Sequence, residues 1–104
     1  MLSSQVQKDD VLINITGASI GRSYIYNLEE EANINQHICI LRPDKDLLVS
    51  EYLMYQLQSS RIQNLINMVE GASREGLTNH ELKNYQINLV DTKSQREIVK
   101  SIKE

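Results

Sequence analysis

The 104-residue chain has the length of one domain, and its 40% hydrophobic content excludes a disordered chain. That content is enough for one core without disulfide bonds or bound metals. The net charge of −3 at pH 7 argues against a module that binds nucleic acid through bulk positive charge, although a local basic face is still compatible with it.

The sequence carries no pattern of a targeting or membrane-spanning segment. The first ten residues, MLSSQVQKDD, lack the apolar stretch of a signal peptide. No apolar run approaches the length of about 20 residues that a transmembrane helix needs. The single cysteine, Cys39, lies in the apolar run HICIL, and we interpret it as a small core residue. Because Cys39 has no partner for an internal disulfide bond, we expect a cytoplasmic protein, and the short apolar runs predict no membrane contact.

Strand-like segments dominate the first half of the chain. Residues 10–16 are rich in Val and Ile and predict a strand, and RSYIYN predicts a second one with Tyr24 and Tyr26 on one face. The run EEEAN predicts a solvated loop. NQHICILRP predicts a third strand that ends at Pro43, because proline removes a backbone donor. The spacing favours a small, mostly antiparallel sheet.

Two helices separated by a break are predicted in the middle of the chain. Ser50 is expected to cap the first helix, which runs through EYLMYQLQSS. The second is an amphipathic helix with a stop at Gly71 and apolar residues at helical spacing: Ile62, Leu65, Ile66 and Val69. On one straight helix, Leu53 and Leu57 would point about half a turn away from this stripe. A break at Ser59–Ser60 would bring both sets into one core.

The last third of the chain predicts short elements and a final helix. GASREGL is a predicted loop, TNHELKN a helical turn with a Thr78–Glu81 capping box, and YQINLV a strand. A second capping box, Ser94–Glu97, is expected to start a C-terminal helix with Ile98, Val99 and Ile102 on one stripe. The predicted fold class is α+β, with a small, mostly antiparallel twisted sheet, two to three helices and the start of a C-terminal helix.

The stretch TGASIGRS resembles a phosphate-binding loop only superficially. Gly17 and Gly21 have three residues between them instead of four, and Arg22–Ser23 follows where Lys and Ser or Thr are needed. The next segment is a predicted strand, so no helix N-terminus would face an anion. We therefore interpret the stretch as a connection between strands in which Gly17 and Gly21 shape the turn, while Ser19 and Arg22 are available to face outward.

Patterns typical of catalysis or metal binding are missing from the sequence. His37 and Cys39 are separated by one residue and His80 lies far away, which does not match zinc-ligand spacing. Cys39 has no activating neighbour in the sequence, and no Ser/His/Asp order is persuasive. We predict no catalytic residue, no metal and no cofactor.

Five segments in order resemble the target-recognition domain of type I restriction–modification specificity subunits: DVLINITGASIGRSYI, ANINQHICILRP, EYLMYQLQS, GASREGLTNHELKNYQINL and SQREIVKSI. The resemblance implies a non-catalytic module that recognises a sequence in double-stranded DNA and directs methylation and cleavage by partner modification and restriction subunits. Hydroxyl, amide, imidazole and guanidinium groups of the loops then become candidate DNA contacts. These are Thr16, Ser19, Arg22, Asn35, Gln36, His37, Ser73 and Arg74, with the two arginines foremost.

The chain departs from the family pattern near both ends. Only nine residues precede Asp10, where the family has a further half, so residues 1–93 are expected to be part of one recognition domain. Residues 94–104 are expected to be the truncated start of the conserved spacer helix. Two alternatives stay open: a structural or protein-interaction fragment that binds no DNA and self-associates through its C-terminal helix, and the recognition domain of an adenine-specific DNA methyltransferase.

Overall fold

The computed structural model describes residues 5–17, 19–28, 32–33, 37–72, 86–87 and 89–103. The strands are β1 (Gln5–Val6), β2 (Val11–Asn14), β3 (Ser23–Ile25), β4 (Ala32–Asn33) and β5 (Ile38–Leu41). The helices are α1 (Ser50–Leu57), α2 (Ser60–Ala72) and α3 (Thr92–Lys103). Together they confirm the predicted small α+β class.

β2 is the central strand of the larger sheet, because β3 and β5 both pair with it in antiparallel orientation. Val11 and Ile13 of β2 are completely buried, whereas Leu12 and Asn14 are only half-buried. Ile13 lies opposite Ser23 on β3 and Cys39 on β5. This alternation is what a strand with one face on the core requires, and the three predicted strands are confirmed.

A second, two-stranded antiparallel sheet was not predicted. It pairs β1 with β4, so that Val6 lies opposite Ala32, and Val6 is buried. The prediction of EEEAN as a loop throughout is therefore wrong at its end, where Ala32 and Asn33 form β4. Strands of two residues leave no alternation for a sequence pattern to detect.

The strand predicted for YQINLV is also wrong, because residues 86, 87, 89 and 90 lie outside any strand. Side chains from two helices bind carbonyl groups of this segment instead of a neighbouring strand. Arg61 of α2 donates to the Gln86 carbonyl, and Gln95 of α3 donates to the Val90 carbonyl at 2.7 Å. Ile87 still packs against the main core.

The predicted break between the first two helices is confirmed. Ser59 separates α1 from α2, and its hydroxyl accepts a hydrogen bond from the Ile62 N–H at 3.3 Å, as an N-cap does. The reorientation puts both apolar sets into one core, which contains Leu53, Leu57, Ile62 and Ile66 together with Val11 and Ile13 of β2. α2 passes through Gly71 and includes Ala72, so the predicted stop was one residue early.

The predicted caps of α1 and α3 are both wrong. Ser50 is the first residue of α1, and its hydroxyl donates to the Asp9 carbonyl at 2.7 Å instead of capping the helix. α3 begins at Thr92, where the carboxylate of Asp91 accepts from the Ser94 N–H at 2.7 Å. Asp91 is therefore the N-cap, because an acidic side chain one turn earlier takes the bond that the Ser94 capping box would have needed. The Ser94 N–H and hydroxyl bonds lower the pKa of Asp91 below its ordinary value.

The apolar stripe predicted on the last helix is divided between two environments. Val99 is buried, whereas Ile98 and Ile102 are 40% and 50% exposed. Residues 98 and 99 are about 100° apart around a helix, so both cannot face the same neighbour. α3 packs against α1, and its buried residues are Gln95 and Val99, while the two isoleucines lie on its exposed flank.

Candidate nucleic-acid interface

The connection between β2 and β3 is a closed turn held by backbone hydrogen bonds. Asn14 donates to the Arg22 carbonyl at 2.9 Å and accepts from the Gly21 N–H at 2.8 Å. Gly17 and Gly21 have φ angles of 83° and 86°, which residues other than glycine rarely adopt. The interpretation of both glycines as turn-forming residues is confirmed.

Gly21 also lets the turn approach α2 closely. A Cβ atom at this position would lie 3.2 Å from Ile66 Cγ2 and 3.2 Å from Gln63 Oε1. The Gln63 amide nitrogen donates to the Gly21 carbonyl at 3.1 Å and to the Leu57 carbonyl at 2.8 Å. The turn is therefore anchored to the helical layer, which gives the side chains that it carries a defined position.

Two candidate contact residues from distant segments meet beside this turn. The hydroxyl oxygen of Thr16 lies 2.6 Å from Nδ1 of His37. The backbones are also joined, because the Ile15 N–H donates to the His37 carbonyl at 2.9 Å. His37 is exposed. The pair presents hydroxyl and imidazole groups on one surface at the end of β2.

The other candidates are distributed as follows. Arg22 is exposed and follows directly after the turn, and the half-buried Ser19 accepts from the Arg22 N–H through its carbonyl at 3.1 Å. Thr16, Ser19, Arg22 and His37 thus belong to one end of the larger sheet. The remaining four candidates lie outside the described residues, as do the predicted GASREGL loop beyond Ala72 and the TNHELKN turn; they are Asn35, Gln36, Ser73 and Arg74.

A groove of about 410 Å³ lies next to Arg22 and extends the polar surface beyond the predicted residues. Tyr24, which is 48% exposed, lines it from β3, and Gln58 and Gln63 line it from the helices. The Ser23 hydroxyl at the same groove is buried and lacks a hydrogen-bond partner in the described part of the chain. Sequence reasoning missed the two glutamines, since nothing in a helical pattern indicates which polar residue adjoins a distant turn.

The opposite end of the larger sheet is held by an ion pair that the sequence did not predict. Arg42 Nε and one of its terminal nitrogens each lie 2.7 Å from a carboxylate oxygen of Asp10, which is 1% exposed. The Gln7 N–H adds a bond of 2.8 Å. Burial alone would raise the pKa of Asp10, but these partners outweigh it and hold the pKa below the ordinary value of 3.8. This pair joins the start of β2 to the end of β5.

A second cleft, of about 490 Å³, adjoins that opposite end between the start of α1 and α3. Its lysines are already paired with carboxylates. Lys45 lies 3.6 Å from Asp9, and Lys103 lies 2.7 Å from Glu51. Arg96 is a third cationic side chain in this cleft, so both signs of charge line it, whereas Arg22 is the one charged residue among the described residues of the groove.

Across the described ranges, no group of three His, Cys, Asp or Glu side chains is close enough to hold a metal ion. None of the helices in these ranges is long and apolar enough to cross a membrane. Cys39 is half-buried within the partly buried shell of the core, and burial raises the pKa of its thiol.

Comparison with known proteins places the chain among restriction–modification proteins. A family model described as the type I restriction modification DNA specificity domain matches residues 3–104. The type I restriction enzyme EcoBI specificity subunit of Escherichia coli is 30% identical over 102 residues, which make up 97% of this chain and 21% of that protein. A solved chain from a study of complex assembly and conformational transition of the type I R-M system aligns with a TM-score of 0.79 and 27% identity.

That alignment covers 96% of this chain and 23% of the solved one. The chain thus spans less than a quarter of the length of either relative. The family match, by contrast, includes nearly every residue, from the predicted strands to the last helix. The chain therefore belongs to the type I restriction modification DNA specificity domain family.

Proposed function

We propose that the chain is a sequence-specific recognition module for double-stranded DNA within a type I restriction–modification specificity subunit. The family match over residues 3–104 carries this proposal. The anchored turn between β2 and β3 supports it, because a rigid turn with exposed polar side chains suits the contact of base edges and phosphates.

Arg22 is the leading contact residue of this proposal among the described residues. Its exposed guanidinium group is suited to a phosphate or to the O6 and N7 atoms of guanine. Thr16 and His37 form a joined pair at the same end of the sheet, and Ser19 lies in the turn between them and Arg22. Asn35, Gln36, Ser73 and Arg74 belong to the proposed contact set through the family resemblance.

The module carries no chemistry of its own in this proposal. Methylation and cleavage fall to modification and restriction subunits, which the specificity subunit directs to the bound site in the cytoplasm. Residues 1–93 correspond to part of one recognition domain. Residues 94–104 correspond to the start of the spacer helix, and the N-cap at Asp91 favours a start of this helix a few residues earlier.

DNA binding is tested by selecting duplexes from a random-sequence pool with the 104-residue chain and measuring affinities at about 50 and 200 mM salt. We expect enrichment of a defined sequence and an affinity that falls as salt rises. Arg22→Ala should weaken binding. If Arg22 contacts a phosphate, affinity falls equally for all sequences and the salt slope decreases by about one. If Arg22 contacts guanine, the loss is confined to one base position.

Arg96→Ala is the matched control, because Arg96 is an exposed arginine of the second cleft near the opposite end of the sheet. It should bind like the parent chain. A parent chain that enriches no sequence and shows no salt-dependent binding would contradict the proposed function.

Self-association through α3 is a second candidate role, favoured by the exposed Ile98 and Ile102 on one flank of that helix. Two apolar side chains four residues apart are neighbours on a helix surface and suit packing against another helix. Sedimentation velocity over a concentration series tests this role. We expect Ile98→Lys to abolish any dimer and Lys100→Ala to leave it intact; a parent chain that stays monomeric throughout excludes the role.

A further inference from the structure

Two glutamine side chains line the groove beside Arg22, and the fold uses them to different extents. Gln63 is committed to the scaffold, because its amide nitrogen donates to the carbonyls of Gly21 and Leu57. Gln58, at the C-cap of α1, makes one side-chain bond within the described part of the chain, a long one of 3.4 Å from its nitrogen to the Ser23 carbonyl. A bond of that length contributes little, so the exposed Gln58 amide is available to turn toward a ligand.

The surroundings of Gln58 suit an anionic, hydrogen-bonding ligand. The described residues that line the groove are Gly21, Arg22, Ser23, Tyr24, Gln58 and Gln63, and among them are a guanidinium group and no carboxylate. Ser23 also lines the groove, and its buried hydroxyl has no hydrogen-bond partner among the described residues. The cleft near the opposite end of the sheet, in contrast, holds Asp9 and Glu51.

The chemistry of the exposed groups narrows the ligand further. A primary amide donates and accepts side by side, and in the major groove of DNA this pattern matches N6 and N7 of adenine. Arg22 is adjacent in the same groove, and a guanidinium group pairs with guanine or with a phosphate. A tyrosine hydroxyl, as on Tyr24, is a common phosphate contact.

We propose that Gln58 is a specificity-determining residue that contacts a base edge in the DNA major groove, next to the Arg22 and Tyr24 side chains that line the same groove. This inference rests on the proposed function. It adds Gln58, at the junction of α1 and α2, to a proposed DNA-binding surface that otherwise consists of loop residues. The α1–α2 break then has two roles, because it aligns the core residues and also places Gln58 beside the turn.

Selection from a random duplex pool, with sequencing of the bound fraction, tests the proposal on the full chain. Gln58→Ala should lose preference at one position of the enriched site by on the order of tenfold and leave the other positions unchanged. Gln58→Glu should move the preference at that same position toward cytosine, because a carboxylate accepts from the cytosine N4 amino group. A purely structural role for Gln58 would not change the identity of one base.

Gln7→Ala is the matched control, since Gln7 is an exposed glutamine at the opposite end of β2. It should give the parental site. The inference is overturned if the parent chain selects a site and Gln58→Ala selects the same one. It is also overturned if Gln58→Ala loses affinity equally for all sequences. Either result leaves the proposed function standing. If the groove binds an acidic peptide and not DNA, Gln58→Ala would select the same DNA site as the parent chain, and the inference would be overturned in the same way. A parent chain that binds no DNA overturns both.

Discussion

Thr16 and His37 are 21 residues apart in the chain, yet the Thr16 hydroxyl and His37 Nδ1 lie 2.6 Å apart. The contact follows from the antiparallel pairing of β2 with β5, which brings the end of one strand to the start of the other. Two side chains from different segments of the chain thus lie next to each other on the surface. This geometry makes them a unit that can be tested as a pair.

A double-mutant cycle on DNA affinity should detect this unit. We expect Thr16→Val and His37→Ala to be non-additive, with a coupling free energy of about 0.5 kcal/mol or more, because each change removes the same hydrogen bond. Thr16→Val combined with Gln7→Ala is the control, and these distant changes should add within about 0.5 kcal/mol. Additive losses for the Thr16 and His37 changes would show that the two side chains act independently.

The two glycines of the turn should differ in their tolerance of a side chain. Gly17→Ala places a side chain at a φ of 83° in open space, and we expect it to lower the free energy of unfolding by about 1–2 kcal/mol. Gly21→Ala meets the same backbone penalty and also pushes against the buried Ile66. It should cost about 1–3 kcal/mol more. Urea unfolding of both variants measures the difference, and equal losses would show that α2 moves aside freely.

The Arg42–Asp10 pair should matter for stability more than an ordinary surface ion pair. Arg42→Ala leaves the buried Asp10 carboxylate with the Gln7 N–H as its main remaining donor. We expect a loss of about 1–3 kcal/mol in the free energy of unfolding, because an underpaired buried charge keeps its desolvation cost. Lys45→Ala, which removes an exposed pair with Asp9, should cost no more than about 1 kcal/mol. Similar losses for both variants would contradict the distinction.

The same pair predicts how stability depends on pH. The pKa of Asp10 in the folded chain lies below its ordinary value of 3.8, so the unfolded chain takes up the proton first as pH falls. The stabilisation from this carboxylate is therefore complete well above pH 3.8 and is lost as pH falls below that value toward the folded-state pKa. Asp10→Asn should show a smaller loss of stability across this acid range in urea unfolding. Parallel curves for parent and variant would contradict the assignment.

Among the polar residues of α3, Gln95 should contribute most to attaching this helix to the rest of the domain. It is 0% exposed, and it accepts from the Val49 N–H at 2.7 Å and donates to the carbonyls of Leu47 and Val90. We expect Gln95→Leu to cost about 2–4 kcal/mol, because three backbone groups lose their partner at once. Arg96→Leu, at the exposed next position, should change stability by about 0.5 kcal/mol or less.

Hydrogen exchange separates two causes of this loss. In Gln95→Leu, the exchange rates of the α3 amides should rise more than those of the β2 amides. The reason is that Gln95 attaches α3 to the segments before α1 and α3 and does not pack against β2. Uniformly faster exchange throughout the chain would show a global effect without a special role at the α3 junction.

Local sequence patterns were sufficient for much of the fold. The Val and Ile content of residues 10–16 predicted the strand that became β2, and the conflicting phases of Leu53 and Ile62 required the break between α1 and α2. The spacing of Gly17 and Gly21 excluded a phosphate loop and indicated a turn. These features depend on neighbours within a few residues, so a linear pattern records them.

Tertiary structure decided the caps and the composition of the candidate site. Ser50 and Ser94 had the local chemistry of caps, but Ser50 donates to Asp9 from a distant segment, and Asp91 takes the bond to the Ser94 N–H. Gln58 adjoins Arg22 only because the helices pack beside the turn. Side-chain hydrogen bonds between distant segments have no periodicity in the sequence, since any exposed Gln or Ser can make them. The chain packing alone determines which ones do.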